Sequence, residues 1–236
     1  MSILSLFATL QARLQRICRG AHMSFSWYLS WVAKPLLFVA CLIPTMVLGY
    51  HAYYDQLGAN PVETIEHVTG DWSLRFLLIT LMVSPLAVLL KAKWLNRFRR
   101  MLGLYTFFYV CLHLATYIVL DQYFDWPEIY KDILKRPYIT VGFTAFVLLI
   151  PLAVTSIDKL VELMGKPRWL KLHQLVYICA VLGVLHYLWL VKADVLEPAT
   201  YGLVLVILLA YRVWHRRVVA IKAEKSGHNV GTSVAR

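Results

Sequence analysis

The sequence predicts an all-α membrane protein, a bundle of about six transmembrane helices with both termini in the cytoplasm. Hydrophobic residues make up 60% of the 236 residues and charged residues only 16%, whereas soluble domains average about half and about a quarter. The apolar residues form six blocks that are nearly free of charge. With their flanks, these blocks approach the ~20 residues that a helix needs to cross about 30 Å of hydrocarbon. A soluble bundle would instead show polar stripes along every helix.

Each apolar block gives one predicted span. Pro35, Pro137 and Pro198 fall near the starts of the first, fourth and sixth spans, where a missing backbone N–H costs least. Tyr and Trp side chains, among them Tyr123 and Trp126, gather at the span ends and predict an interfacial aromatic belt. The predicted spans are residues 34–53, 72–91, 101–120, 138–156, 171–191 and 197–214.

The charges between the spans alternate in sign along the chain, and this alternation predicts the topology. Lys and Arg cluster at 91–100, at 159–171 and after 212, whereas the loop 54–71 carries four carboxylates and no Lys or Arg. Basic loops remain on the cytoplasmic side, so both termini are expected there. Membrane topology therefore accounts for the net charge of +11, and no nucleic-acid partner is predicted.

The chain is predicted to form one domain with two terminal extensions. Residues 1–32 are expected to form a basic amphipathic segment, of which residues 11–19 are expected to lie on anionic lipid. Residues 33–217 form the six-helix transmembrane domain, and residues 218–236 are expected to be a disordered cytoplasmic tail. The loops between spans are too short to hold a catalytic core of their own.

Two histidines occupy matching depths on two parallel spans. His113 lies eight residues before Asp121, at the end of the third span, and His186 lies eight residues before Asp194, at the end of the fifth. Two imidazoles at one level can ligate a planar macrocycle from both faces, and bis-histidine ligation suits a haem that transfers electrons. A hydrogen bond between helices and a proton relay are the alternative interpretations of intramembrane histidines.

A third histidine, His173, lies thirteen residues before His186, a rise of about 20 Å along a helix. That separation suits a second haem stacked across the bilayer. On an ideal helix the two side chains would differ in azimuth, so a local distortion, near Gly183 for example, is required. The matching position before His113 is Arg100, and therefore a second haem would have only one histidine ligand. Alternatively, His173 binds a haem propionate, a flavin phosphate or a quinone oxygen.

Three arginines are candidates for binding propionate or phosphate. Arg75 falls about one turn inside the second span, near the level of His113, where a guanidinium needs a partner or must extend to the headgroups. Arg99 and Arg100 precede the third span and can act as topology anchors, as phosphate ligands or as propionate ligands. The histidines and arginines together could instead line a proton or anion path in a small transporter or assembly factor, which predicts a colourless protein.

Several short motifs occur in a characteristic order along the chain. They are LGANPV (57–62), HVTG (67–70), RRMLGL (99–104), RPYIT (136–140), LHQLVY (172–177) and HYLW (186–189). Between about residues 33 and 217 the chain resembles the MsrQ family, formerly YedZ. Its members are haem-binding membrane subunits of the bacterial periplasmic methionine-sulfoxide reductase system, within the ferric-reductase-like transmembrane superfamily.

The resemblance implies an electron-transfer subunit of the inner membrane rather than the catalytic, sulfoxide-reducing subunit. Electrons would come from the quinol pool, or from a cytosolic flavin reductase. They would pass to a periplasmic molybdopterin-containing partner, MsrP, which repairs oxidised envelope proteins. A stand-alone transmembrane ferric or quinone reductase is the alternative.

The resemblance also implies cofactors and site residues. Family members bind haem b and FMN, and the FMN expectation comes from the resemblance alone. His113 and His186 match the haem histidines of the family, and His173 matches its third important histidine. The superfamily arrangement has four histidines, and the Arg99–Arg100 position lacks the fourth, so one haem or two is expected.

Overall fold

The structure, a computed structural model, describes residues 27–191 and 195–233, with side chains described no further than Ile221. The predicted N-terminal amphipathic segment, apart from residues 27–32, and Asp194 lie outside the described residues. The chain divides into two units, one ending at Gly49 and the other running from Tyr50 to Arg236. Among its described residues the first unit is a single helix, and all the candidate site residues belong to the second unit.

The described residues form helices joined by short loops, with no strand among them. A π-helical turn, Leu29–Ala33, leads into the first α-helix, and another, Tyr117–Asp121, extends the third. The α-helices are α1 (Lys34–Tyr53), α2 (Pro61–Leu89), α3 (Arg99–Thr116), α4 (Trp126–Lys135), α5 (Pro137–Val154), α6 (Asp158–Met164), α7 (Lys166–Leu172), α8 (Leu175–Leu190) and α9 (Leu196–Ser233).

Six helical stretches in the described part of the chain are long and apolar enough to cross a membrane. This confirms the predicted fold class, an all-α membrane protein with six spans. The stretches are Leu29–Tyr53, Pro61–Leu89, Arg99–Asp121, Pro137–Val154, Lys166–Leu190 and Leu196–Ile221.

The second span begins eleven residues earlier than predicted, at Pro61 instead of residue 72. Asn60 caps the helix, because its side chain accepts a hydrogen bond from the backbone N–H of Glu63 at 3.4 Å, and proline suits the first helical position. The carboxylates of this segment suggested a loop, although its cap favours a helix. Residues 61–71 therefore bring backbone groups into the region of the candidate site.

Helix α2 is the central helix of the second unit. Half of its most apolar 18-residue window is buried, compared with 17–28% for the other four spans of that unit. Leu77 and Leu81 of α2 belong to one core cluster with Leu149 of α5, Cys179 of α8 and Leu205 of α9. Apolar side chains buried between neighbouring helices exclude lipid from the contact and let the helices pack closely.

A proline inside α2 is compensated by an arginine from α9. Pro85 has no N–H, so the carbonyl of Leu81, four residues earlier, loses its helical partner. The Nη2 of Arg212 donates to that carbonyl at 2.7 Å, and its Nη1 donates to the hydroxyl of Tyr177 at 2.6 Å. Arg212 thereby connects α2, α8 and α9 at one end of the helices.

Two further segments differ from the sequence predictions. A helix, α4, occupies most of the predicted loop between the third and fourth spans, and Asp125 caps it by accepting from the N–H of Glu128 at 3.2 Å. The last helix extends to Ser233, through most of the tail for which disorder is predicted. Residues 222–225 are good helix formers that continue it, whereas residues 226–233 include two Gly and one Asn, which favour helix poorly.

Candidate functional site

The structure brings His113 of α3 and His186 of α8 together, and we call these two residues the histidine pair. Their ring centroids lie 6.1 Å apart, and the ring planes make an angle of 76°. Equal depth on two parallel spans predicts this proximity. Both side chains are only partly exposed.

A backbone carbonyl of α2 orients His113. The Nδ1 of His113 lies 3.0 Å from the carbonyl oxygen of Glu66, and 3.5 Å from the hydroxyl of Thr69. Four residues after Glu66 comes Gly70, and a Cβ there would lie 3.2 Å from the Cε1 of His113. The imidazole therefore rests directly against the backbone of α2.

The same arrangement recurs at His186, with α5 in the role of α2. The Nδ1 of His186 lies 2.7 Å from the carbonyl oxygen of Tyr138. Gly142 follows four residues later, and a Cβ at that position would lie 2.7 Å from the same Nδ1, closer than real contacts allow. Each histidine of the pair thus has a neighbouring helix that supplies one carbonyl and one glycine.

This hydrogen bonding selects the tautomer of both imidazoles. A carbonyl oxygen can only accept, so each Nδ1 must carry the proton, and in the neutral ring the lone pair then belongs to Nε2. An imidazole held in this way is typical of a metal ligand, since its second nitrogen donates to an outer-shell acceptor.

The spacing and the donor set fit a metal that brings its own in-plane ligands. A metal held between the two Nε2 atoms would separate the imidazole centroids by about 6 Å, because each metal–nitrogen bond is about 2 Å and each ring radius about 1 Å. Among the described residues, no group of three or more His, Cys, Asp or Glu side chains could hold a bare metal ion. The Nε2 atoms of His113 and His186 would both be available to hold the iron of a haem, so the donor set of the histidine pair fits haem.

His173 lies at the opposite end of the spans from the histidine pair. It occupies the break between α7 and α8, whereas α8 runs uninterrupted through Gly183, where a distortion was expected. Its Nδ1 lies 3.1 Å from the carbonyl oxygen of Trp169, and the two rings have centroids 4.0 Å apart. Its Nε2 is buried and has no hydrogen-bond partner among the described residues.

Arg99 and Arg100 lie at the same end as His173 and act on it electrostatically. Arg100 pairs with Asp158, whose carboxylate is highly exposed. Arg99 donates to the hydroxyl of Ser84 at 3.3 Å, and no ion pair of Arg99 occurs within the described residues. Two cations beside an unpartnered imidazole nitrogen are suited to binding an anionic group.

Arg75 lies at the end that holds the histidine pair, and there it already has carboxylate partners. Its Nη2 lies 3.3 Å from Asp71 and 3.4 Å from Glu197, and its Nε donates to the hydroxyl of Tyr201 at 2.8 Å. The hydroxyls of Tyr187 and Tyr201 also donate to Glu197. A propionate at Arg75 would have to compete with both carboxylates.

Sequence reasoning did not find the residues that position the histidine pair. Glu66 and Tyr138 act through backbone carbonyls, which are independent of residue type. Among the described residues, the residue types that indicate these contacts are Gly70 and Gly142, which lie four residues after Glu66 and Tyr138. Gly142 lies within its predicted span and Gly70 at the edge of another. Their partners become visible only when the packing of α2 on α3 and of α5 on α8 is known.

A histidine pair held between transmembrane helices is the feature to compare with known protein families. The family model described as "Ferric reductase like transmembrane component" matches residues 69–184, which include His113 and His173 and end two residues before His186. This part of the chain is thus similar to the transmembrane component of ferric reductases.

Full-length relatives narrow this class. A protein of Polaromonas naphthalenivorans is 48% identical over 207 residues, covering 87% of this chain and 94% of the relative. One from Herminiimonas arsenicoxydans is 50% identical over 189 residues, covering 78% and 87%, and one from Caulobacter vibrioides is 48% identical over 188 residues, covering 80% and 90%. Each is named a protein-methionine-sulfoxide reductase heme-binding subunit, MsrQ. The chain belongs to the MsrQ family, as its motifs indicate.

Proposed function

We propose that the chain is a transmembrane electron-transfer subunit that binds haem b between His113 and His186 and delivers electrons to a methionine-sulfoxide reductase. The observation that carries the proposal is the histidine pair itself, with centroids 6.1 Å apart and both Nδ1 atoms directed at carbonyls. The printed names of the relatives, which describe heme-binding subunits of such a reductase, support it.

The residues of this chain hold the two imidazoles and keep their Nε2 lone pairs available. When bound between these two histidines, haem would supply a reversible one-electron change at iron. Carbonyl–histidine hydrogen bonds raise ligand basicity and fix ring orientation.

Sulfoxide chemistry requires a partner, because the described loops between spans are short. We assign that role to a periplasmic molybdopterin-containing reductase of the MsrP kind, next to the end that holds the histidine pair. In this topology both termini face the cytoplasm and the bilayer is the bacterial inner membrane. Electrons enter at the opposite end, from the quinol pool or from a cytosolic flavin reductase.

The His173 end is suited to the entry of electrons. His173 offers a buried Nε2, and Arg99 and Arg100 offer positive charge for a propionate or for the phosphate of FMN. The same atoms could ligate a second haem opposite an atypical partner. Arg75 can bind a propionate only if its ion pair with Asp71 or with Glu197 is broken.

The test is a reduced-minus-oxidised absorption spectrum with haem quantified per chain, on protein purified from haem-replete cells. His113→Ala and His186→Ala are expected to abolish the b-type spectrum of the site. His173→Ala distinguishes one haem from two, since a second haem would be lost selectively. His51→Ala, which removes an exposed histidine, is the matched control and should leave the spectrum unchanged.

Two outcomes would contradict the proposal. A colourless wild-type protein would favour a transporter or an assembly factor. A haem protein that reduces ferric chelates or quinones equally well with and without the reductase would favour a stand-alone ferric or quinone reductase.

A further inference from the structure

The two halves of the histidine pair are anchored on different helices, and something must keep these helices in register. His113 is oriented by α2 and His186 by α5, so the angle between the rings depends on how α3 and α5 are joined. The chain segment that joins them contains α4. A hydrogen-bonded connection through α4 would therefore act on both imidazoles at once.

Asp132 of α4 is the charged residue that makes such a connection. It is only 3% exposed, which is rare for a carboxylate unless it is paired. Its Oδ2 accepts a hydrogen bond from the hydroxyl of Tyr117 at 3.2 Å, and its Oδ1 forms an ion pair with the Nε of Arg136 at 3.0 Å. One buried carboxylate thus contacts the end of α3 and the residue that precedes α5.

Each arm of this connection leads to one histidine of the pair. Tyr117 lies four residues after His113, which is one helical turn further along the same face. Arg136 precedes α5, and its Nη1 lies 3.4 Å from the hydroxyl of Tyr138, the residue whose carbonyl accepts from His186. The path from one histidine to the other passes through Asp132.

We propose that Asp132 is a positioning residue that sets the angle between the imidazole planes of His113 and His186. This inference rests on the haem site proposed above. Asp132 touches neither the imidazoles nor the metal, and acts through Tyr117 on one side and through Arg136 on the other. A buried carboxylate is suited to this role because it accepts several charge-assisted hydrogen bonds in a fixed geometry.

The experiment measures the electron paramagnetic resonance spectrum of the ferric protein together with haem per chain. Ring planes at 76° predict the single signal at large g that near-perpendicular axial imidazoles give, whereas parallel imidazoles give a three-line rhombic spectrum. Asp132→Asn removes the charge and one acceptor, and should shift the signal toward the rhombic form. Haem retention should weaken about 10-fold, the low end of the range for outer-shell partners.

Two further variants make the test specific. Asp125→Ala removes the N-cap of the same helix and leaves the Asp132 contacts intact, so it should not shift the signal. Tyr117→Phe removes one hydroxyl and one arm, and it should give a smaller shift of the same sign. This milder variant decides the question if Asp132→Asn does not yield folded protein.

The outcomes separate this inference from the proposal beneath it. A wild-type protein without a low-spin haem signal overturns the haem site and the role of Asp132 together. A wild-type signal that Asp132→Asn, or in its place Tyr117→Phe, leaves unchanged overturns only the role of Asp132. Equal shifts in Asp132→Asn and Asp125→Ala would show that α4 as a whole matters, and would also overturn that role.

Discussion

The two ends of the transmembrane helices use histidine in different ways. At one end, His113 and His186 face each other, and each rests on a neighbouring helix that provides a carbonyl and, four residues later, a glycine. At the other end, His173 bonds a carbonyl of its own chain segment, stacks on Trp169, and has cations around it instead of a second imidazole.

This difference teaches what a built ligand site requires beyond the ligand residues. The Nδ1 of each of the three histidines lies near a backbone carbonyl, so this contact alone does not distinguish the two ends. The histidine pair differs because close backbone approach places two rings at the separation that one metal needs. His173 has a donor nitrogen but no second imidazole facing it. A ligand at this end would therefore depend on the positive charges of Arg99 and Arg100.

The largest effect should come from filling the space beside His186. In Gly142→Ala, the new Cβ would lie 2.7 Å from Nδ1 of His186 and would have to displace the ring. Gly70→Ala brings its Cβ only to 3.2 Å from His113, so a smaller shift suffices. We expect Gly142→Ala to abolish the b-type spectrum and Gly70→Ala to weaken haem binding by about 10- to 100-fold, the range of outer-shell changes.

The control for this prediction is a third membrane glycine. A Cβ at Gly183 would lie 3.6 Å from Leu74, an ordinary contact, so Gly183→Ala should keep its haem. Haem per chain, titrated into apoprotein, measures all three variants. Equal losses in all three would show that any change of membrane glycines disrupts the bundle, and the comparison between the two ends would lose its basis.

A smaller effect is expected from Arg212, which lies toward the His173 end. In Arg212→Ala the Leu81 carbonyl loses its donor, and leaving such a group buried costs about 1–3 kcal/mol. Pro85→Ala supplies an N–H to the same carbonyl. The double variant should therefore regain part of the stability that Arg212→Ala loses.

Thermal unfolding in detergent measures this double-mutant cycle. A coupling free energy of about 1 kcal/mol is expected for groups that share one acceptor. Additive effects would mean that Arg212 does not compensate for Pro85 at the Leu81 carbonyl. The spectrum of the histidine pair should be the same in all members of the cycle.

The fold was predictable from the sequence to a large extent, because bilayer thickness imposes long apolar blocks that are easy to recognise. The proximity of His113 and His186 was also predictable, since equal distance from the span ends means equal depth. The start of α2 was not, because Glu63 and Glu66 resemble loop residues until the cap at Asn60 is considered.

The surroundings of the histidines were less predictable for a physical reason. Backbone carbonyls such as that of Tyr138 leave no trace in residue type, and the partners of Arg75 come from positions that are distant in sequence. Glycine is a usual signal of a helix distortion, so the sequence favours a distortion at Gly183, whereas the break lies at His173. Tertiary contacts decided each of these features.

The smallest effect is expected at Arg75, at the end that holds the histidine pair. Its side chain is 36% exposed and is paired with Asp71 and Glu197, so after solvent screening its loss should cost less than about 1 kcal/mol. If this cluster only joins α2 to α9, Arg75→Ala should lower the melting temperature by a few degrees, with a salt-dependent difference from wild type. The haem content and the reduction potential should not change.

A propionate bound to Arg75 predicts the opposite pattern. Loss of a cation beside a propionate would lower the haem reduction potential, and haem retention would fall even where the melting temperature does not. Arg75→Lys separates the two roles further, because lysine keeps the charge but cannot contact both carboxylates and Tyr201 as the planar guanidinium does. A potential that is unchanged in both variants would show that the end with the histidine pair holds its haem by the imidazoles and their carbonyls, without help from this arginine.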